Sequence, residues 1–193
     1  MAACGAPADA KGTRPPSEKA TETTAASSPA STASPDPRPT PASSRGPARN
    51  VPPPVLPEAA KQNTAEGFEA FTQYWFDTVT YALETGDSEP LREISLPDCK
   101  MCNGYAHRSA QIAANSEWNV GPKWRISEFQ GAPSPLPLRQ ARAVFLLDES
   151  SSAHYSSSGT NLESREPTSD GHLKAAYAVF GADQWIMAEV GNN

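Results

Sequence analysis

Apolar residues recur at spacings of three and four between Asn63 and Thr85: Phe68, Phe71, Trp75, Val79, Ala82 and Leu83 fall on one stripe. That is the period of an amphipathic helix. Tyr74, Phe76 and Tyr81 widen the stripe, so this helix is expected to pack on more than one side. Asn63 is the expected N-cap, with Glu66 in a capping-box position and Gly86 as the left-handed stop. Asp87-Ser88-Glu89-Pro90-Leu91 starts a short second helix that runs to about Ser95. A third helix is expected from Pro97-Asp98, with Asp98 as cap and Cys102, Tyr105, Ser109, Ile112 and Ala113 facing inward, ending near Asn115-Ser116. After Trp118 the period falls to two. Alternation over Lys123–Gln130, Arg139–Asp148, Leu173–Phe180 and Trp185–Val190 predicts strands, the last two joined by a turn at Gly181–Gln184. The polar stretch Ser156–Gly171, which contains Pro167, reads as a loop. Three helices followed by about four strands is an α+β order, with the helices gathered on one face of an antiparallel sheet.

Composition then divides the chain. Residues 1–57 hold 13 of the 20 prolines and no aromatic residue, and Pro, Ala, Ser and Thr fill 38 of those positions. Such a segment buries too little to offset its chain entropy, so it is expected to be a disordered tether that favours extended polyproline II. Residues 58–193 carry all the aromatics and support one core. No run of 18 apolar residues occurs, so no transmembrane helix is encoded in the 193 residues. The tail carries six basic and four acidic residues, the domain ten and 18. An acidic domain without a basic patch argues against nucleic acid.

Met1-Ala2-Ala3-Cys4-Gly5 resembles the end of a bacterial lipobox, where small residues precede a cysteine that receives a diacylglycerol. Two or more acyl chains anchor stably. The expected location is therefore the outer face of the cell membrane, with lipid on Cys4 and an apolar signal segment encoded upstream of Met1; a cytoplasmic protein is the alternative. Three further stretches carry a family resemblance: Val55–Ala60, the aromatic helix ending Ala82-Leu83-Glu84-Thr85-Gly86-Asp87, and Asp98-Cys99-Lys100-Met101-Cys102. Over roughly residues 55–190 the chain resembles a family of actinobacterial lipoproteins of unknown function, and its element order resembles the NTF2-like cone fold. The resemblance implies a surface lipoprotein with a curved-sheet domain, and no activity.

Candidate chemistry is sparse. Cys99 and Cys102 fit a structural disulfide, favoured outside the cytoplasm, or a redox pair at a helix N-terminus. A zinc site would need two more ligands, and His107, His154 and His172 are scattered without metal spacing. No G-x-S-x-G elbow or phosphate loop is present. His154 reads as a solvated residue and His107 as an exposed helical one. Cone folds can enclose an apolar cavity, for which Tyr74, Trp75, Tyr105, Trp118 and Trp124 are the candidate lining, with Tyr81 and Tyr177 as further hydroxyl donors. Two functions remain open. One is a non-catalytic envelope protein that binds an unidentified envelope protein or small apolar ligand without a cofactor. The other is a small enzyme of the ketosteroid-isomerase type acting on an apolar carbonyl compound.

Overall fold

A computed structural model describes residues 37–134 and 140–192; the tail before residue 37, Cys4 included, lies outside the described residues. Three helices precede seven strands: α1 (Ala65–Thr85), α2 (Glu89–Glu93), α3 (Lys100–Ala114), β1 (Trp118–Val120), β2 (Trp124–Pro133), β3 (Gln140–Glu149), β4 (Ser152–Tyr155), β5 (Asn161–Arg165), β6 (Thr168–Phe180) and β7 (Trp185–Asn192). All strand pairs are antiparallel. They form a four-stranded sheet in the order β2-β3-β6-β7 and a three-stranded sheet in the order β1-β4-β5. The architecture is mixed α+β.

Helix α1 lies on the larger sheet and supplies most of the core. Phe68, Phe71, Trp75, Phe76, Val79 and Ala82 are all buried. The sheet answers with small residues: Ala141 pairs Ala178 and Ala143 pairs Ala176, and all four are buried. These alanines leave room for rings, and Phe145, Leu147 and Trp185 close the sides. Phe68 meets Phe129 edge-on at 5.4 Å and Phe76 meets Phe145 edge-on at 6.0 Å, the geometry that aromatic quadrupoles favour. Extra residues interrupt β2 between Ser127 and Gln130, β6 between Thr168 and His172, and β7 between Met187 and Glu189. Glu128, inside the first of these, adopts φ of 50°. Each bulge bends its strand and adds twist.

Both edges of this sheet are capped. At the β2 edge, the Gln73 side chain of α1 donates to the Trp124 carbonyl at 2.9 Å and accepts from the Ile126 N–H at 3.0 Å. A side-chain amide thus takes the place of a neighbouring strand. At the β7 edge, the Met187 N–H donates to Ile94 O and the Leu96 N–H to Met187 O, at 2.8 and 2.7 Å.

Several expectations change. The larger sheet has the four strands predicted, but β1, β4 and β5 were not anticipated. The loop expected over Ser156–Gly171 contains β5 and the start of β6. All five residues of β5 are exposed, so no apolar alternation marks it. Thr64 rather than Asn63 caps α1, its hydroxyl accepting from the Gly67 N–H at 3.0 Å. Cys99 rather than Asp98 caps α3, its sulfur accepting from the Cys102 N–H. Ala113 is exposed, and Ala106 fills the inner face in its place. Residues 37–57, read from composition as the end of the tether, belong to the compact unit Asp36–Asn193. Thr40 and Arg49 exchange backbone hydrogen bonds at 2.8 Å, and Ser43 O accepts the Trp118 indole N–H at 2.9 Å. Main-chain carbonyls hold this stretch, and composition records only side chains.

Cys99 and Cys102 form a disulfide with an S–S distance of 1.92 Å. Loop-closure entropy for so short a ring gives about 2 kcal/mol. Replacing both cysteines by serine is expected to lower Tm by roughly 5 °C with the fold retained, because serine restores the cap while the crosslink is lost. Calorimetry checks this; an unchanged Tm would remove the stabilising role.

Gly67 gives a sharper test. An alanine there would favour an ordinary helix by about 1 kcal/mol. In this helix its Cβ would collide with the Gln62 carbonyl oxygen and approach Ala59 O at 2.8 Å. Gly67→Ala is therefore expected to destabilise, by about 1–3 kcal/mol, measurable by urea unfolding. A gain in stability would contradict the close approach.

Candidate functional site

A cavity of about 250 Å³ opens where α3, the smaller sheet and the ends of β2 and β3 meet. Cross-strand register builds its roof. Asn119 on β1 pairs His154 on β4, which pairs Glu163 on β5. Residues directly opposite one another share a face, so these three form one polar row. Ser152 pairs Arg165 in the next row. The facing wall comes from α3, where Tyr105 and Arg108 are one turn apart. Trp124 and Glu149, paired at the ends of β2 and β3, form the floor.

The charges are organised in pairs. His154 Nε2 lies 3.0 Å from Glu117 Oε2, and these side chains are only 14% and 22% exposed. Arg165 donates to Glu163 Oε1 at 2.9 Å. That hydrogen bond, then the Arg165 charge, and then Arg108 and His154 hold the exposed Glu163 carboxyl below its ordinary range. Glu149 Oε2 accepts the Trp124 indole N–H at 3.2 Å. Burial pushes the Tyr105 phenol above its ordinary range, the Glu149 charge pushes it further, and Arg165 pulls it partly back. Among the described residues Arg108 makes no ion pair, and the buried Asn119 Oδ1 has no hydrogen-bond partner. No cluster of three His, Cys, Asp or Glu with metal-holding geometry occurs among the described residues.

Of the five residues expected to line a cavity, Tyr105 and Trp124 do, with ring centroids 5.8 Å apart. Trp75 is buried in the core with its indole N–H on Ser95 Oγ at 3.1 Å. Tyr74 packs half-buried against that core. Trp118 stacks on Tyr155 at 5.3 Å and ties down Ser43. Of the further hydroxyl donors, Tyr81 bonds Asp87 at 3.0 Å and Tyr177 is exposed beside Arg142. His154 corrects the sequence reading: its side chain is mostly buried and in hydrogen-bond contact with Glu117, not solvated. Its neighbours Ser151, Ser152 and Ser156 look like a loop in sequence, and only the pairing of β4 with β1 and β5 turns the ring inward. Arg108, Asn119, Glu149, Glu163 and Arg165 carried no sequence signal.

The Tyr105 environment is testable. A phenol whose folded pKa is raised contributes stability present below its unfolded pKa of about 10 and lost as pH rises through the folded value. Tyr105→Phe is expected to remove one late-titrating phenol from the alkaline absorbance titration and to flatten the loss of stability at high pH. Glu149→Gln should shift that phenol to earlier ionisation. A titration unchanged in both variants would contradict the assignment.

No curated protein matches the sequence. Among solved structures, the intermembrane space region of the chloroplast protein ARC6 is similar at 16% identity with a TM-score of 0.49, covering 66% of this chain and 94% of that one. An uncharacterised Caulobacter vibrioides protein with a cystatin-like fold is similar at 15% identity and a TM-score of 0.39, covering 64% and 83%. The sequence itself is matched over residues 38–191 by the model of a family of unknown function, DUF6318, and the chain belongs to that family.

Proposed function

We propose that this protein is a cell-envelope lipoprotein of actinobacterial type, anchored through Cys4, whose NTF2-like domain binds a small polar ligand without transforming it. The observation that carries the binding reading is the division between interior and mouth. The space between α1 and the larger sheet is occupied by Phe68, Phe71, Trp75, Phe76, Phe145 and Trp185, all at or near zero exposure. The cavity beside it is lined instead largely by polar and charged side chains, among them Arg108, Asn119, Glu149, His154, Glu163 and Arg165. A polar cavity smaller than the roughly 300–1,000 Å³ of drug-sized sites suits a ligand of few heavy atoms. An apolar carbonyl substrate would need the interior that the rings fill.

The location rests on separate support: the lipobox-like Met1–Gly5, the Pro-, Ala-, Ser- and Thr-rich stretch behind it, and a disulfide of the kind that persists outside reducing compartments. The cone reading rests on a long helix seated on a sheet with three bulges. The isomerase-type alternative has one point in its favour, the raised Tyr105 phenol, since a neutral phenol can donate to an oxyanion.

Two measurements test the proposal. In cells expressing the natural gene, the protein should take up a clickable fatty acid and sediment with membranes, and Cys4→Ala should do neither; equal behaviour of the two would remove the anchor. For the domain, amide shifts from a library of small polar compounds should cluster on Tyr105, Asn119 and His154. Shifts clustering on Phe68, Phe145 and Trp185 instead, or catalysed α-deuterium exchange on a cyclic enone, would favour the enzyme.

A further inference from the structure

The cavity's charges narrow the ligand class, and the argument rests on the binding reading above. Its lining carries two guanidinium groups, Arg108 and Arg165, and two carboxylates, Glu149 and Glu163. The Glu117–His154 pair stands behind them in the roof. Arg165 and Glu163 satisfy each other at 2.9 Å on neighbouring positions of β5, so that pair offers no net charge to a ligand. What remains is one unpaired cation and one half-used anion. Arg108 projects from α3 without an ion pair among the described residues. Glu149 uses one oxygen for the Trp124 indole and has no other hydrogen-bond partner among the described residues. The two belong to different walls, α3 and the end of β3.

A simple anion would gain Arg108 and face repulsion from Glu149. A simple cation would gain Glu149 and face repulsion from Arg108. A molecule carrying both charges gains at each end, because opposite charge within a few ångströms is favourable and like charge costs as much. We propose that the cavity binds a small zwitterion of the α-amino-acid type, its carboxylate on Arg108 and its ammonium on Glu149. The floor suits that orientation. The rings of Trp124 and Tyr105 line the same cavity as Glu149, and aromatic faces attract an ammonium group. Leu83 and Pro122 supply a short apolar surface for a side chain. The volume of about 250 Å³ admits a single amino acid more readily than a longer peptide.

The test uses the whole chain and three matched probes: L-valine, its decarboxylated amine isobutylamine, and its deaminated acid isovalerate, with L-alanine as a smaller zwitterion. Titration is followed by amide shifts at Tyr105, Asn119 and His154. The zwitterions should bind at least tenfold more tightly than either half. Arg108→Gln should weaken valine and isovalerate by about tenfold while isobutylamine binds no more weakly; Glu149→Gln should weaken valine and isobutylamine while isovalerate binds no more weakly. Arg108 is exposed, and glutamine at 149 keeps the acceptor for Trp124, so both variants are expected to fold, which their Tm checks. Isovalerate binding as tightly as valine would make this an anion site, and isobutylamine binding as tightly would make it a cation site. Either result overturns the zwitterion and leaves a polar binding cavity. No shift at the cavity with any probe would overturn the zwitterion, and the polar-compound library then decides separately whether the binding reading survives.

Discussion

The rest of the domain depends on burying the broad aromatic face of α1. Phe68, Phe71, Trp75 and Phe76 cannot share one narrow stripe at 3.6 residues per turn, so they need a partner surface that curves around the helix. Fully burying each ring is worth on the order of 1.5–3 kcal/mol, the largest favourable term the sequence offers. A flat sheet would meet only one line of the helix. The bulges in β2, β6 and β7 supply bend, and the paired alanines of β3 and β6 supply depth. Large residues at those alanines would hold the helix off and leave voids that close packing does not tolerate.

Burying tryptophan imposes a second requirement, because each indole brings an N–H donor that must be satisfied. The chain has four tryptophans, and each N–H finds an acceptor in a different part of the fold. Trp75 holds Ser95 in the segment after α2, Trp185 holds the Gln62 carbonyl before α1, Trp118 holds Ser43, and Trp124 holds Glu149. Three of these acceptors lie outside the regular elements. The donors therefore fix the approach to α1, the link into α3 and the upstream segment 37–57, none of which has an apolar stripe of its own.

What could be read from the sequence follows the same physics. The three helices, the four strands of the larger sheet and the turn at Gly181–Gln184 were legible because apolar periodicity records contact with the core. Along Arg139–Asp148 the alternation matches burial: Ala141, Ala143, Phe145 and Leu147 are buried, and Arg142, Val144 and Leu146 are not. Cap positions slipped by one residue, since Asn63 and Thr64, or Asp98 and Cys99, are adjacent groups able to accept the same N–H. The smaller sheet was not legible: Asn161-Leu162-Glu163-Ser164-Arg165 has no buried face to record. The site was lost with it, because the row Asn119–His154–Glu163 is assembled by register between three short polar strands. Only Tyr105 and Trp124, which also touch the aromatic core, could be found beforehand.

These two outcomes have one cause. A sheet whose inner face is filled by the rings of α1 has no room there for a ligand, so a cavity forms at its end, where a second element can roof it. In this domain that element is the small sheet, whose outer strand β5 is exposed at every residue. A rim cavity is partly open to water, and charges placed there are screened more than in a closed interior. Selectivity in such a place cannot come from one strong ion pair and comes from arrangement instead: which charges are already neutralised and which are left over. The His154 ring is taken up by Glu117, and Glu163 neutralises Arg165. Arg108 and Glu149 are the remainder, held apart by the distance between a helix and a strand end. On the binding reading proposed above, discrimination by ligand charge pattern would follow from the pairing, with no need for the deep apolar pocket that an aromatic-rich sequence suggests.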